Sequence, residues 1–369
     1  MGPLKGLRVV EMHGLAPAPY CGMLLADLGA DMVRVERPGT AAKGPAARLD
    51  VLHRSRTSIE VDLKSAEGLA QVKRLVEHAD ALIEGFRPGV MERLGLGPAV
   101  FETSNPKLVY GRVTGWGQEG PLAHTAGHDL NYIAITGALH VIGRKDEAPT
   151  IPQNLIGDFA GGGLMLAFGI MAAIYEAQRS GRGQVVDAAM VDGAASLMAY
   201  LYGHRAQGVM NDIRGEAPMS GLMPYYSIYE CADGRHVTVA AGEAQFYTLL
   251  VEALGLDPAS LPPREDKSRW PELRERFAAV FRTRTRDEWN ERLRTLDVCV
   301  APVLTMDEAP NHEHIRARGT FIELEGVPQP APAPRFSRTA AEDPRPAEPV
   351  ISPAEALARW GAEALAGTV

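Results

Sequence analysis

Leu7-Arg8-Val9-Val10-Glu11-Met12 and Asp31-Met32-Val33-Arg34-Val35-Glu36-Arg37 are short, β-branched apolar runs that bracket a helical stretch at about Pro19–Leu28. Runs of this kind read as strands buried on both faces, and strand–helix–strand in about 30 residues is the unit of an open parallel sheet. The pattern then repeats. Ser58–Leu63, Ala81–Phe86 and Leu108–Val113 are further strand-like runs. Between the first two, a helix opens at Ser65 and runs to about Ala79, with Leu69, Val72, Leu75 and Val76 at helical spacing. The prediction is an α/β fold: a Rossmann-like large domain with a parallel sheet. The loop after the first strand is Gly14-Leu15-Ala16-Pro17-Ala18-Pro19, not Gly-x-Gly-x-x-Gly, which disfavours a nicotinamide- or flavin-dependent dehydrogenase.

Farther along, Val185–Asp187 reads as a strand leading into a helix that ends at Tyr202, and residues 203–224 lose periodicity and read as an extended linker. Tyr225–Cys231 and His236–Ala241 flank Ala232-Asp233-Gly234-Arg235, an Asp-Gly hairpin turn. Helices follow at about Gln245–Leu254, Pro271–Phe281 and Arg286–Leu296, making a smaller α+β domain over 225–326. Pro328, Pro330, Pro332 and Pro334 mark a stiff connector at Val327–Arg335. A last helix, about Pro353–Leu365, is expected to return to the large domain, so that 1–202 and 327–369 enclose the small one.

With 369 residues, 46% hydrophobic and 23% charged, the composition is that of an ordinary globular protein. A net charge of −8 argues against nonspecific nucleic-acid binding, though not against a local anion pocket. Three scattered cysteines, Cys21, Cys231 and Cys299, predict neither a disulfide framework nor a metal site. Met1-Gly2-Pro3-Leu4-Lys5 reads as no signal peptide, and the longest apolar segment, broken by Gly169 and ending near Tyr175, reads as too short to span a membrane. Ala366-Gly367-Thr368-Val369 is no peroxisomal address, leaving a cytoplasmic location and no membrane partner as the expectation.

The chemistry concentrates between Thr125 and Gly163. Gly127-His128-Asp129-Leu130-Asn131-Tyr132 sets an imidazole beside a glycine at a helix entrance, and imidazole suits proton transfer near neutral pH. Thirty residues on, Asp158 stands where a long apolar helix, Leu164–Tyr175, is expected to begin, the position of an N-cap. The run Gly161-Gly162-Gly163 that follows weakens a helix and is read as bare backbone that a ligand approaches closely. A lone loop histidine or capping aspartate is more often structural than catalytic. Arg37, Lys64 and Arg87 each follow a predicted parallel strand, the edge where open α/β sheets bind ligands.

Across Met1 to about Met306 the chain resembles the α-methylacyl-CoA racemases, within the class III CoA-transferase superfamily. The segments that carry the resemblance are Val9–Pro17, Ala26–Ala30, Val33–Gly39, Val61–Lys64, Phe86–Glu92, Gly127–Tyr132, Gly157–Gly163 and Gly242–Tyr247. It implies that His128 and Asp158 are acid/base groups on opposite faces of the substrate's α-carbon, with Glu243 orienting the imidazole. It implies further that the Asp129 N–H steadies the enolate oxygen, and that coenzyme A lies against Arg37, Val61, Asp62, Leu63, Lys64, Arg87, Gly127, Asp129, Leu130, Asn131 and Tyr132. No metal or separate cofactor is implied, since coenzyme A is part of the substrate; the partner is a second copy of the chain, in an interlocked homodimer. Two other readings stay open. A CoA-transferase of the same superfamily would use Asp158 as nucleophile, but its glycine-rich loop is replaced here by Ala240-Ala241-Gly242-Glu243-Ala244-Gln245. A noncatalytic acyl-CoA-binding protein would have no need of all three polar groups.

Overall fold

The computed structural model describes residues 2–41, 49–217 and 219–362. Two compact units emerge: the described residues of Met1–Ala138, Pro152–Met198 and Glu313–Val369, and those of Leu139–Ile151 and Ala199–His312.

In the first unit the apolar runs form β1 (Arg8–Met12), β2 (Asp31–Glu36), β3 (Thr57–Glu60), β4 (Ala81–Glu84), β5 (Val109–Thr114) and β6 (Val185–Ala189). They pair in the order β3-β2-β1-β4-β5-β6, and Val350–Ile351 adds a seventh strand beside β3. Every pairing is parallel. Both faces are therefore covered. Val10, Val33, Val35, Ile59 and Leu82 meet the helix Ala66–Glu77 and the C-terminal Leu357 and Trp360 on one face. Val9, Met32, Ile83, Val109 and Val113 meet the helices Pro17–Asp27 and Met165–Ser180 on the other. Adjacent strand residues face opposite sides, so Val9 and Val10 serve different cores.

The strands also carry buried charge, which the apolar reading did not provide for. Glu11, Arg34, Glu36 and Arg56 are all buried. Arg34 Nε donates to Glu11 at 3.1 Å and its Nη2 pairs with Glu36 at 2.8 Å, while Arg56 donates to the other Glu11 oxygen. His13 Nδ1 meets Glu36 at 2.6 Å. Charges taken out of water are tolerated because each is paired.

The final helix is Pro353–Arg359, opened by a capping box in which Ser352 accepts from the Glu355 N–H. Trp360 Nε1 donates to Asp31 at 3.0 Å, which fastens this segment to β2. Residues 363–365, where the sequence continues this helix, lie outside the described residues. The proline-rich segment is not merely a connector: Val327–Pro330 pairs antiparallel with Phe321–Leu324. Buried Arg54 holds that hairpin, donating to Gln329 Oε1 at 2.9 Å, to the Pro330 carbonyl at 2.8 Å and to Asp27 at 2.9 Å. The long apolar helix also differs from expectation. One continuous helical run, Leu155–Ser180, is 26 residues long and apolar enough by length and composition to cross a membrane. Its Leu166, Ala167, Ile170, Ala173 and Ile174 pack into the sheet core, the arrangement of a core helix.

The second unit carries a three-stranded antiparallel sheet, β7 (Tyr226–Glu230), β8 (His236–Ala240) and β9 (Val300–Pro302). Gly234 adopts φ 73° in the Asp-Gly turn between the first two strands. The helices Ala244–Ala253, Trp270–Phe281 and Arg286–Leu293 cover the sheet around Tyr229, Val237, Leu250, Phe277, Phe281 and Trp289. The segment read as an unstructured linker begins inside a helix, Ala199–Ala206. Beyond it, Glu216 pairs with Lys145 at 2.6 Å and Asp212 with Arg205 at 2.5 Å, so the irregular chain is docked within its own unit.

Candidate active site

Strand order locates the site. Between β1 and β4 the succession of strands reverses direction, and connections leave the sheet on opposite faces; a crevice opens there at the carboxyl ends. A cleft of about 510 Å³ lies at this point, lined by Leu15–Pro17 after β1, Gly85–Pro88 after β4 and Gly115–Trp116 after β5. Its remaining wall includes Gly127, His128, Tyr132 and Asp158. Residues separated by thirty positions thus share one cavity.

His128 is the N-cap of the helix Asp129–Ile135, in extended conformation and exposed. Its N–H donates to Asn131 Oδ1 at 3.0 Å, which fixes the first turn of that helix. Tyr132 holds the loop in place: its hydroxyl donates to the Gly127 carbonyl and its ring packs edge-on against Trp116 at 4.8 Å. A Cβ at Gly127 would stand 2.8 Å from the Tyr132 ring, so the residue before the histidine has to be bare.

Asp158 does not cap a helix. Asn154 occupies the N-cap of the π-helical turn Leu155–Leu164, and Asp158 lies within its first turn. The Asn154 amide donates to Asp158 Oδ2 at 3.2 Å. Burial holds the Asp158 carboxyl above the usual carboxylate range; the Asn154 hydrogen bond opposes this, the Asp129 charge adds to it and His128 opposes it. A carboxyl so placed holds its proton to higher pH than a free one does. Tyr132 is likewise pushed up, first by burial and then by the Asp158 charge.

The glycines that follow serve packing rather than a ligand. Gly161, Gly162 and Gly163 are buried, and a Cβ on them would meet Ala194 N at 2.8 Å, Met190 Cγ at 2.9 Å and the Pro17 carbonyl at 2.6 Å. They bring the wide turn against the helices Pro17–Asp27 and Met190–Leu197, which leaves no room there for an acyl chain.

The other site residues read from the sequence distribute unevenly. Arg87, Gly127 and Tyr132 line the cleft. Arg37, after β2, and Asp62 and Lys64, after β3, are exposed but outside its lining. The Lys64 N–H donates to Asp62 Oδ1 at 3.0 Å in the turn that starts the next helix. Val61 is buried in the core, and Leu63 packs at its margin, so Val61 has only backbone to offer a ligand. Leu130 and Asn131 are exposed on the helix after His128. Glu243, in the second unit, is the exposed N-cap of the helix Ala244–Ala253 and makes no side-chain cap there. Sequence reasoning missed Asn154, Trp116 and the carboxylate of Asp129; only the last had a signal, its place beside His128.

The family model for CoA-transferase family III matches residues 4–352. The chain is 46% identical over 339 residues to the alpha-methylacyl-CoA racemase of Mus musculus, covering 92% of this chain and 87% of the relative. It is 45% identical over 341 residues to the enzyme of that name from Homo sapiens, with the same coverage of 92% and 87%. Among solved structures, a CAIB/BAIF family protein from Brucella suis superposes with a TM-score of 0.81 at 29% identity, over 97% of this chain and 98% of the other.

Proposed function

The chain belongs to CoA-transferase family III, and from that premise we propose that it is a racemase interconverting the (R) and (S) epimers of 2-methylacyl-CoA thioesters. What supports this reading most is that His128 and Asp158 share one cleft at the switch point of the sheet.

The chemistry follows from those groups. A thioester carbonyl acidifies the adjacent C–H. With neutral His128 as base, that proton passes to the imidazole and the electron pair moves onto the carbonyl oxygen, giving an enolate. Asp158, in its protonated form, gives its proton to the opposite face, and the inverted thioester results. The reverse direction exchanges the two roles. A helix's first N–H groups lack intrahelical acceptors, and Asp129 begins the helix after His128; its N–H is the donor assigned to the enolate oxygen, worth about 2.7–4 kcal/mol. Arg87 at the cleft, with Arg37 and Lys64 on the neighbouring strand ends, supplies the charge for the coenzyme A phosphates.

The same reading carries a cytoplasmic location and a homodimer in which Glu243 of one chain orients His128 of the other. An apolar stripe supports a second copy. Leu164, Phe168 and Tyr175 follow one another along the helical run and are 49%, 70% and 65% exposed.

A single epimer of a 2-methylacyl-CoA, incubated with the protein, should approach an equal mixture by chiral chromatography, and His128→Ala should stop it. Transfer of CoA to an added carboxylate, with no loss of configuration, would instead favour Asp158 as a nucleophile.

A further inference from the structure

We infer that the Asp129 side chain is the positioning residue of the acid/base pair, tying the His128 turn to the Asp158 turn and so setting the spacing of the two groups. The inference rests on the racemase reading and gives it a residue acting through a carboxylate rather than through its backbone N–H.

Asp129 is 5% exposed, and its Oδ2 accepts the Gly157 N–H at 2.6 Å and the Asp158 N–H at 2.8 Å. Its partners lie 28 and 29 positions away, so this contact joins two otherwise separate loops. The local consequence is a division of labour. First-turn N–H groups of a helix are ordinarily capped by the N-cap side chain of the same turn. Here the remote carboxylate does that, and the N-cap Asn154 donates to the Asp158 carboxyl instead, at 3.2 Å. Gly157 is required by the same contact: a Cβ there would stand 2.6 Å from Asp129 Oδ2. Asp129 is also covalently next to His128, so displacing its carboxylate from the Gly157 turn moves both catalytic groups relative to each other. The Asp129 charge also contributes, after burial, to holding the Asp158 carboxyl high.

The test uses the full-length chain, a single-epimer 2-methylacyl-CoA and two substitutions. Asp129→Ala removes both hydrogen bonds, and kcat should fall by about 10²-fold, with KM within about twofold, as misplacement by an ångström does. Asp129→Asn keeps an acceptor oxygen but not the charge. It should retain kcat within about tenfold while moving the Asp158-linked limb of the pH–rate profile to lower pH, because a like charge has been removed. A residue that only held the fold would lower Tm without moving that limb. Wild-type kcat in Asp129→Ala overturns the inference; should that variant not fold, an unmoved limb in Asp129→Asn overturns it alone. If the wild-type chain itself shows no epimerisation, the racemase reading fails first, and the inference with it.

Discussion

Asp158 is the residue in which stability and chemistry pull apart. A carboxyl whose pKa is raised in the folded state binds more protons folded than unfolded, between the unfolded value of about 3.9 and the raised one. Its contribution to stability therefore falls as pH rises through that window. Asp158→Asn should abolish racemisation yet raise Tm relative to the parent above the window, with no gain below it; thermal melts at about pH 3 and pH 7 check the sign. An equal change in Tm at both pH values would mean that burial does not perturb this carboxyl. Arg87 is tested separately. Arg87→Ala should weaken a CoA ester by about tenfold or more, the worth of a charge-assisted phosphate contact at about 1.5–3 kcal/mol, and flatten the salt dependence measured by calorimetry. His128 and Asp158 stood out as an imidazole after a glycine and a carboxylate before a glycine run, but their roles were read from the family resemblance; the structure lines one cleft with both. The Asp129 carboxylate was not, since its partners are distant in sequence and no periodicity reports them.

At the scale of elements, the glycine run shows how a correct observation acquires the wrong reason. Three adjacent glycines do mark bare backbone, but the neighbour that needs it is protein: Pro17, Tyr20, Met190 and Ala194 occupy the space. Gly193, on the facing helix Met190–Leu197, is the counterpart; a Cβ on it would strike the Gly161 carbonyl. Helix propensity alone makes Gly→Ala stabilising, by up to about 1 kcal/mol. Gly193→Ala should do the opposite, destabilising by about 1–3 kcal/mol through overpacking, as read by urea midpoint. A stabilised variant would show that the wide turn and this helix are not in close contact. Strand ends were placed within three residues, because buried parallel strands announce themselves as apolar runs. β9 escaped notice, being three residues long, and the hairpin at Phe321–Pro330 was hidden by prolines that edge pairing tolerates.

For the whole molecule, the α/β class followed from alternating strands and helices, but the sheet order did not, and the order is what puts Leu15–Pro17, Arg87 and His128 around one cleft. The proposed homodimer makes a prediction at this scale. If Glu243 serves the partner's imidazole, mixing refolded His128→Ala and Glu243→Ala chains should regenerate one intact site per heterodimer. Activity no higher than either parent, with heterodimers verified by mass spectrometry, would place both residues in one chain's site. The central claim, that His128 and Asp158 move protons on and off one carbon from opposite faces, is tested most directly by NMR in D₂O. Starting from one epimer of a 2-methylacyl-CoA, the account predicts loss of the α-proton signal and an inverted product carrying deuterium at that carbon. Inverted product that retains the original proton, or a substrate whose α-proton never exchanges, would contradict it.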